Sequence, residues 1–97
     1  VDTQQLFEQL AGTQMKLVIM TGAKNFMLNG NTLTFQIMKN KTKGNRVSIT
    51  LNVMDTYDIE FFSFRNFEKQ TKVELNNIYG DQLREVFEET TGLYLSL

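Results

Sequence analysis

The chain predicts an α+β domain, an antiparallel β-meander of about four to five strands packed on one face by an N-terminal and a C-terminal helix, in the order α-β-β-β-β-α. Two observations carry this. From Thr32 to Phe61 apolar and polar residues alternate, with Leu33, Phe35 and Ile37, then Val47, Ile49, Leu51 and Val53, then Tyr57, Ile59 and Phe61 on one parity. A side-chain period of two makes strands with one wet face and one dry face. Near both ends the apolar residues recur at helical spacing instead, which supplies the cover that the dry face needs.

In order along the chain, Asp2 caps a short helix with Gln5 as the return partner of a capping box. Leu6, Phe7, Leu10 and Ala11 share one side of it and Gly12 ends it. The apolar, β-branched run Met15-Lys16-Leu17-Val18-Ile19-Met20 predicts a central strand. Thr21 to Asn25 forms a turn, Phe26-Met27-Leu28 a brief extended piece, and Asn29-Gly30-Asn31 a type I′ hairpin that pairs 26–28 with 32–38. The segment Lys39 to Asn45 has no apolar residue and predicts a solvated, mobile loop, and Met54-Asp55-Thr56 the next reversal.

After Phe61, Phe62 and Phe64 take the opposite parity, which predicts a bulge in that strand. Asn66 to Lys72 is expected as a polar link. Val73 and Leu75 then form a last short extended piece or begin the second helix. That helix runs from Asp81 to Thr91 with Leu83, Val86 and Phe87 on one side, Ile78 and Tyr79 extending the stripe backward, and Gly92 with Leu93 closing a Schellman motif. Leu93, Tyr94, Leu95 and Leu97 make a free tail costly in exposed apolar surface, so Tyr94 to Leu97 is expected to pack back on the body.

Ninety-seven residues, 41% apolar and 22% charged, suit a single domain over 1–97. A chain this short buries only about 60–65% of its unfolded surface, so most apolar residues belong to one core. A formal charge of −1 gives no global attraction for nucleic acid or anionic lipid, so electrostatic recognition has to be local. The absence of cysteine suits a reducing compartment, and no apolar run is long enough to span a membrane, so a cytoplasmic location without membrane contact is expected. Val1 either follows a removed initiator methionine or marks a piece cut from something longer.

Without histidine or cysteine, catalysis would have to run on carboxylates, lysines and hydroxyls. Asp55, Asp58 and Glu60 gather oxygen atoms, but that pattern is also the polar side of a strand beside a turn, and no metal site is expected. Ser48 and Thr50 have no candidate base, and Thr21-Gly22-Ala23-Lys24 lacks the second glycine of a phosphate-binding loop. The expectation is a non-enzymatic protein with no catalytic residues and no cofactor.

Charge offers more. Lys39, Lys41, Lys43 and Arg46 place four positive charges within eight residues that hold no acid. At a hairpin tip they suit phosphate contacts, with Phe62 and Phe64 near Arg65 as stacking surfaces. On the last helix, Asp81, Glu85, Glu88 and Glu89 outweigh Arg84, so the domain has a complementary negative pole. The function expected is that of a small intracellular binding or regulatory accessory protein, in a composition typical of AT-biased phage or plasmid genomes. Its partner is another protein or a second copy, met by the outer sheet residues Ser48, Thr50, Asn52, Phe62 and Phe64. The alternative is nucleic-acid binding led by Lys39, Lys41, Lys43 and Arg46.

Overall fold

β-Branched and aromatic residues at alternate positions draw the middle of the chain into strands β1 (Lys24–Asn29), β2 (Thr32–Gln36), β3 (Arg46–Leu51), β4 (Tyr57–Arg65) and β5 (Glu68–Ile78). These ranges come from a computed structural model that describes residues 6, 9, 10, 12 and 14–95. The five strands form one antiparallel sheet in the order β1-β2-β3-β4-β5. Register follows the pattern: Leu33 opposes Ile49 and Ile49 opposes Ile59, while Phe35 opposes Val47 and Val47 opposes Phe61. A one-residue slip would turn every one of these side chains to water, so the dry face locks the pairing.

Helices α1 (Gln14–Thr21) and α2 (Leu83–Thr91), with an N-terminal helical segment that carries Leu6, Gln9 and Leu10, cover that dry face. Leu6, Leu10, Leu17, Leu83, Phe87 and Leu95 are fully buried in one cluster with the inward strand residues. Phe87 meets Phe61 at 5.8 Å between ring centres. The Tyr57 hydroxyl donates to Gln9 Oε1 at 2.8 Å and ties the N-terminal segment to β4. The other sheet face carries no element among the described residues.

The fold class and the flanking helices match expectation, but several elements differ in kind. Residues 15–20 are helical, not a central strand: Leu17 and Thr21 are buried one turn apart, Thr21 Oγ1 donates to Leu17 O at 2.7 Å, and Met15 and Ile19 face water. So short an apolar run has no decisive period; in the fold Leu17 joins the core, and Met38 N, just past β2, donates to Thr21 O. The fifth strand comes instead from residues 68–78: the stretch to Lys72, expected as a polar link, is strand, and Val73 and Leu75 take the extended alternative and not the helical one; Ile78 ends β5 and Tyr79 is exposed. As an edge strand, β5 needs few apolar residues, which hid it.

Turn details also differ. Gly30 and Asn31 are the central hairpin residues and only Gly30 has positive φ, the type II′ sign pattern in place of type I′. Val53, expected inward, is fully exposed in the β3–β4 turn. β4 stays in register with β3 through Phe62, and the β4–β5 ladder carries its extra residues on β5, Lys72 between Thr71 opposite Phe62 and Val73 opposite Phe61, and a second between Leu75 opposite Ile59 and Ile78 opposite Tyr57. Gly92 at φ 75° stops α2 with a bond from its N–H to Glu88 O, the αL motif in place of the Schellman pair, because the Leu93 N–H goes to Thr91 Oγ1. Leu95 packs back into the core and its N–H donates to Glu88 Oε2 at 2.7 Å, while Tyr94 is exposed. The expected Asp2 cap with Gln5, the side chains of Phe7 and Ala11, and Leu97 lie outside the described residues.

Candidate binding site on the uncovered sheet face

The uncovered face is polar along its middle. Thr34 Oγ1 and Ser48 Oγ are 3.1 Å apart and Thr32 Oγ1 and Thr50 Oγ1 2.8 Å apart, so Ser48 and Thr50 spend their hydroxyls on cross-strand pairs. Asn52 organises the β3–β4 turn. Its Oδ1 accepts from Met54 N and from both N and Oγ1 of Thr56, and its Nδ2 donates to Asp58 Oδ1 at 3.1 Å and Asn77 Oδ1 at 3.2 Å. A shallow hollow of about 220 Å³ lies among Ser48, Thr50, Asp58, Glu60, Glu74 and Asn76. Two of its three carboxylates are already engaged: Asp58 accepts from Asn52 and from Asn77 N, and Glu60 from Lys69 Nζ at 2.6 Å and Thr71 Oγ1 at 2.5 Å. Partial burial pushes the Glu60 carboxyl up, but the hydrogen bonds from Lys69 and Thr71 with the Lys69 charge outweigh it and hold the group below the usual carboxylate range. Among the described residues no group of three potential ligands is placed to hold a metal ion.

Toward one end of this face the character changes. Phe62 and Phe64, two apart on β4, both point outward and meet edge to face at 5.6 Å. Phe62 is only 5% exposed, because Lys69 Nζ lies 4.7 Å from its ring centre and the Gly44 backbone crosses close to its own. Phe64 is 51% exposed, with the Arg46 guanidinium 5.0 Å from its ring centre. Next to it, Asn66 and Phe67 are the two central residues of the β4–β5 hairpin, and both have positive φ, the type I′ requirement. Phe67 is fully exposed there at φ 65°, a conformation that costs a bulky side chain free energy. Arg46, Phe64, Asn66 and Phe67 line an open recess of about 620 Å³. Sequence reasoning missed Phe67; its one signal was a residue pair, Asn66-Phe67, between two segments of strand-like parity.

The basic loop joins the same end, since Gln36 and Phe62 both oppose Arg46 across the ladders and Arg65 opposes Glu68. The loop is not the mobile finger that its composition suggests. Asn40 Nδ2 donates to Met38 O and Gly44 O, its Oδ1 accepts from Thr42, and Thr42 and Gly44 are buried. Lys41 N donates to Thr91 O, which clamps the loop to the end of α2. Lys39, Lys41 and Lys43 stay exposed on this folded base. With Lys24, Arg46, Arg65 and Lys69 they bring seven of the ten Lys and Arg residues to one end of the sheet. The strands answer there with Glu60, already paired to Lys69, and Glu68.

Comparison of the chain with protein-family models, with curated protein sequences and with solved structures finds no match in any of the three. No described helix is long and apolar enough to cross a membrane.

Proposed function

We propose that this chain is a non-enzymatic binding domain that works through the uncovered sheet face, at the end built by the β2–β3 loop and the β4–β5 hairpin. One observation carries the reading: Phe64 and Phe67 stand exposed side by side around one recess in a small domain that needs its apolar residues for its core. Exposed apolar groups rimmed by polar ones mark partner sites. A protein partner or a second copy would seat on them. A second reading, nucleic acid, is favoured by a separate observation, the gathering of lysines and arginines at the same end of the sheet, with Arg46 against the Phe64 ring. Against catalysis stand the composition, without histidine or cysteine, and the engagement of Asp58 and Glu60 in structural hydrogen bonds.

The test is a paired capture from the native host, with light scattering over a concentration series to detect self-association. The Phe64→Ala/Phe67→Ala variant should lose the captured partner or the larger species, while Val53→Ala, at the opposite end of the sheet, should keep it. Equal behaviour of the two variants would reject this surface.

A further inference from the structure

We infer that the basic, aromatic end of the sheet is a seat for single-stranded nucleic acid, with Phe64 and Phe67 as stacking platforms and Lys43 and Arg46 as phosphate grips. The inference rests on the reading above and names its ligand.

Stacking needs an exposed ring on a steady support: Phe67 is fully exposed and Phe64 half-exposed. Phe64 is steadied by Arg46 on one side and by the edge contact with buried Phe62. Phe67 sits on a two-residue turn at positive φ, where glycine is the usual occupant. Strain of this sort is kept where a site needs it. Lys43, next to the Gly44 that crosses β4 at Phe62, is exposed and among the described residues is not ion-paired with a carboxylate. The loop that carries Lys43 is hydrogen-bonded into shape, so its charge is presented without the ordering cost of a floppy segment.

Charge separates the possible occupants. Lysine is depleted at protein interfaces, whereas here Lys69 lies 4.7 Å from the Phe62 ring centre. A single strand offers both a base face to stack and a phosphate to neutralise in every repeat. A duplex keeps its bases stacked inside and leaves the protruding Phe67 without a use. The acidic hollow around Asp58, Glu60 and Glu74 bars phosphates from the middle of the face, so the strand crosses the end of the sheet and does not run along β3.

The test is fluorescence anisotropy at low salt with labelled oligothymidylate and oligouridylate of about 15 nucleotides, within the range of single-domain site sizes, beside the matching duplex and a polyglutamate peptide. Either single strand should bind, with a log–log salt slope of about −1.4 for about two phosphates, those that Lys43 and Arg46 hold. Phe67→Ala should weaken binding by about 5- to 100-fold at unchanged urea midpoint, and Phe67→Trp should restore it. A preference for one of the two strands identifies the sugar. No binding of either strand, tighter binding of the duplex, or equal binding of polyglutamate with no effect of Phe67→Ala would each overturn the inference. If Phe64→Ala/Phe67→Ala still abolishes capture of a host protein in those cases, the binding surface stands and only its ligand is wrong.

Discussion

The Arg46 guanidinium carbon lies 5.0 Å from the centre of the Phe64 ring, diagonally across the β3–β4 ladder from it. The contact holds an exposed ring in one orientation at the rim of the recess. An exposed cation–π pair contributes about 0.5–1 kcal/mol. A double-mutant cycle with Arg46→Ala and Phe64→Ala should return a coupling energy of that size in urea denaturation. A coupling indistinguishable from zero would mean that Arg46 does not order the ring.

Phe67 at φ 65° should trade stability for its exposure. The left-handed conformation costs a non-glycine residue about 1–2 kcal/mol. Phe67→Gly should therefore raise the unfolding free energy by about 1 kcal/mol, part of the relief being returned as chain entropy, while weakening nucleic-acid binding as Phe67→Ala does. A glycine variant that is less stable than the parent would show that the ring packs on the body after all.

Gly44 is required by a close approach and not by its φ. A methyl group added there would come within 2.8 Å of Phe62 N and 3.0 Å of Phe62 O, and backbone on both sides leaves little room to yield. Gly44→Ala should cost about 1–3 kcal/mol, as overpacking does, and should loosen the loop that presents Lys39, Lys41 and Lys43. Faster amide exchange at residues 40–45 with the sheet protected would be the matching signature.

Asn52 was expected to touch a partner, yet its side chain is spent on the turn. Asn52→Asp keeps the acceptor for Met54 and Thr56 but loses both donated bonds and sets a second carboxylate about 3 Å from Asp58 Oδ1. The variant should be destabilised at neutral pH and recover much of the loss as the pH falls below about 4. A loss independent of pH would point to the missing donors alone.

Glu60 sets an acid-side dependence. Its folded carboxyl titrates below the ordinary value of 4.5, because the hydrogen bonds and charge of Lys69 and Thr71 overcome partial burial. A depressed folded pKa stabilises above the unfolded value, and the contribution fades as pH drops through the folded value. Glu60→Gln should thus be less stable than the parent at neutral pH, and the two urea midpoints should converge in acid. Parallel midpoints across the range would exclude the Lys69–Glu60 pair as the source.

Much of the fold was legible in the residues because one-sided burial imposes a period. Leu33, Phe35, Val47, Ile49, Ile59 and Phe61 marked the dry face, and each is buried. Leu83 and Phe87 marked a helix stripe in the same way, and Gly92 its end. The errors fall where no such period exists. Residues 15–20 are too short an apolar run to choose between helix and strand, and β5 lies at an edge where exposed positions carry polar residues on both parities.

Of the candidate site, the lysines and Arg46 were visible as charge and Phe62 with Phe64 as a parity change. Their combination was legible too, but the hydrogen bonds that fold the loop and the contact that sets Arg46 against Phe64 were not. Phe67 was passed over because nothing local distinguishes a fully exposed phenylalanine from a core one.

The chain alone determined that a pleated sheet would have a wet side and a dry side and that helices would cover the dry one, since that follows from side-chain period and the avoidance of water. Only tertiary structure decided that the basic loop is a folded platform beside Phe64 and Phe67. That depends on the register of β3 on β4 and on the Lys41–Thr91 and Gly44–Phe62 contacts, which join residues up to half the chain apart and leave no mark on local sequence.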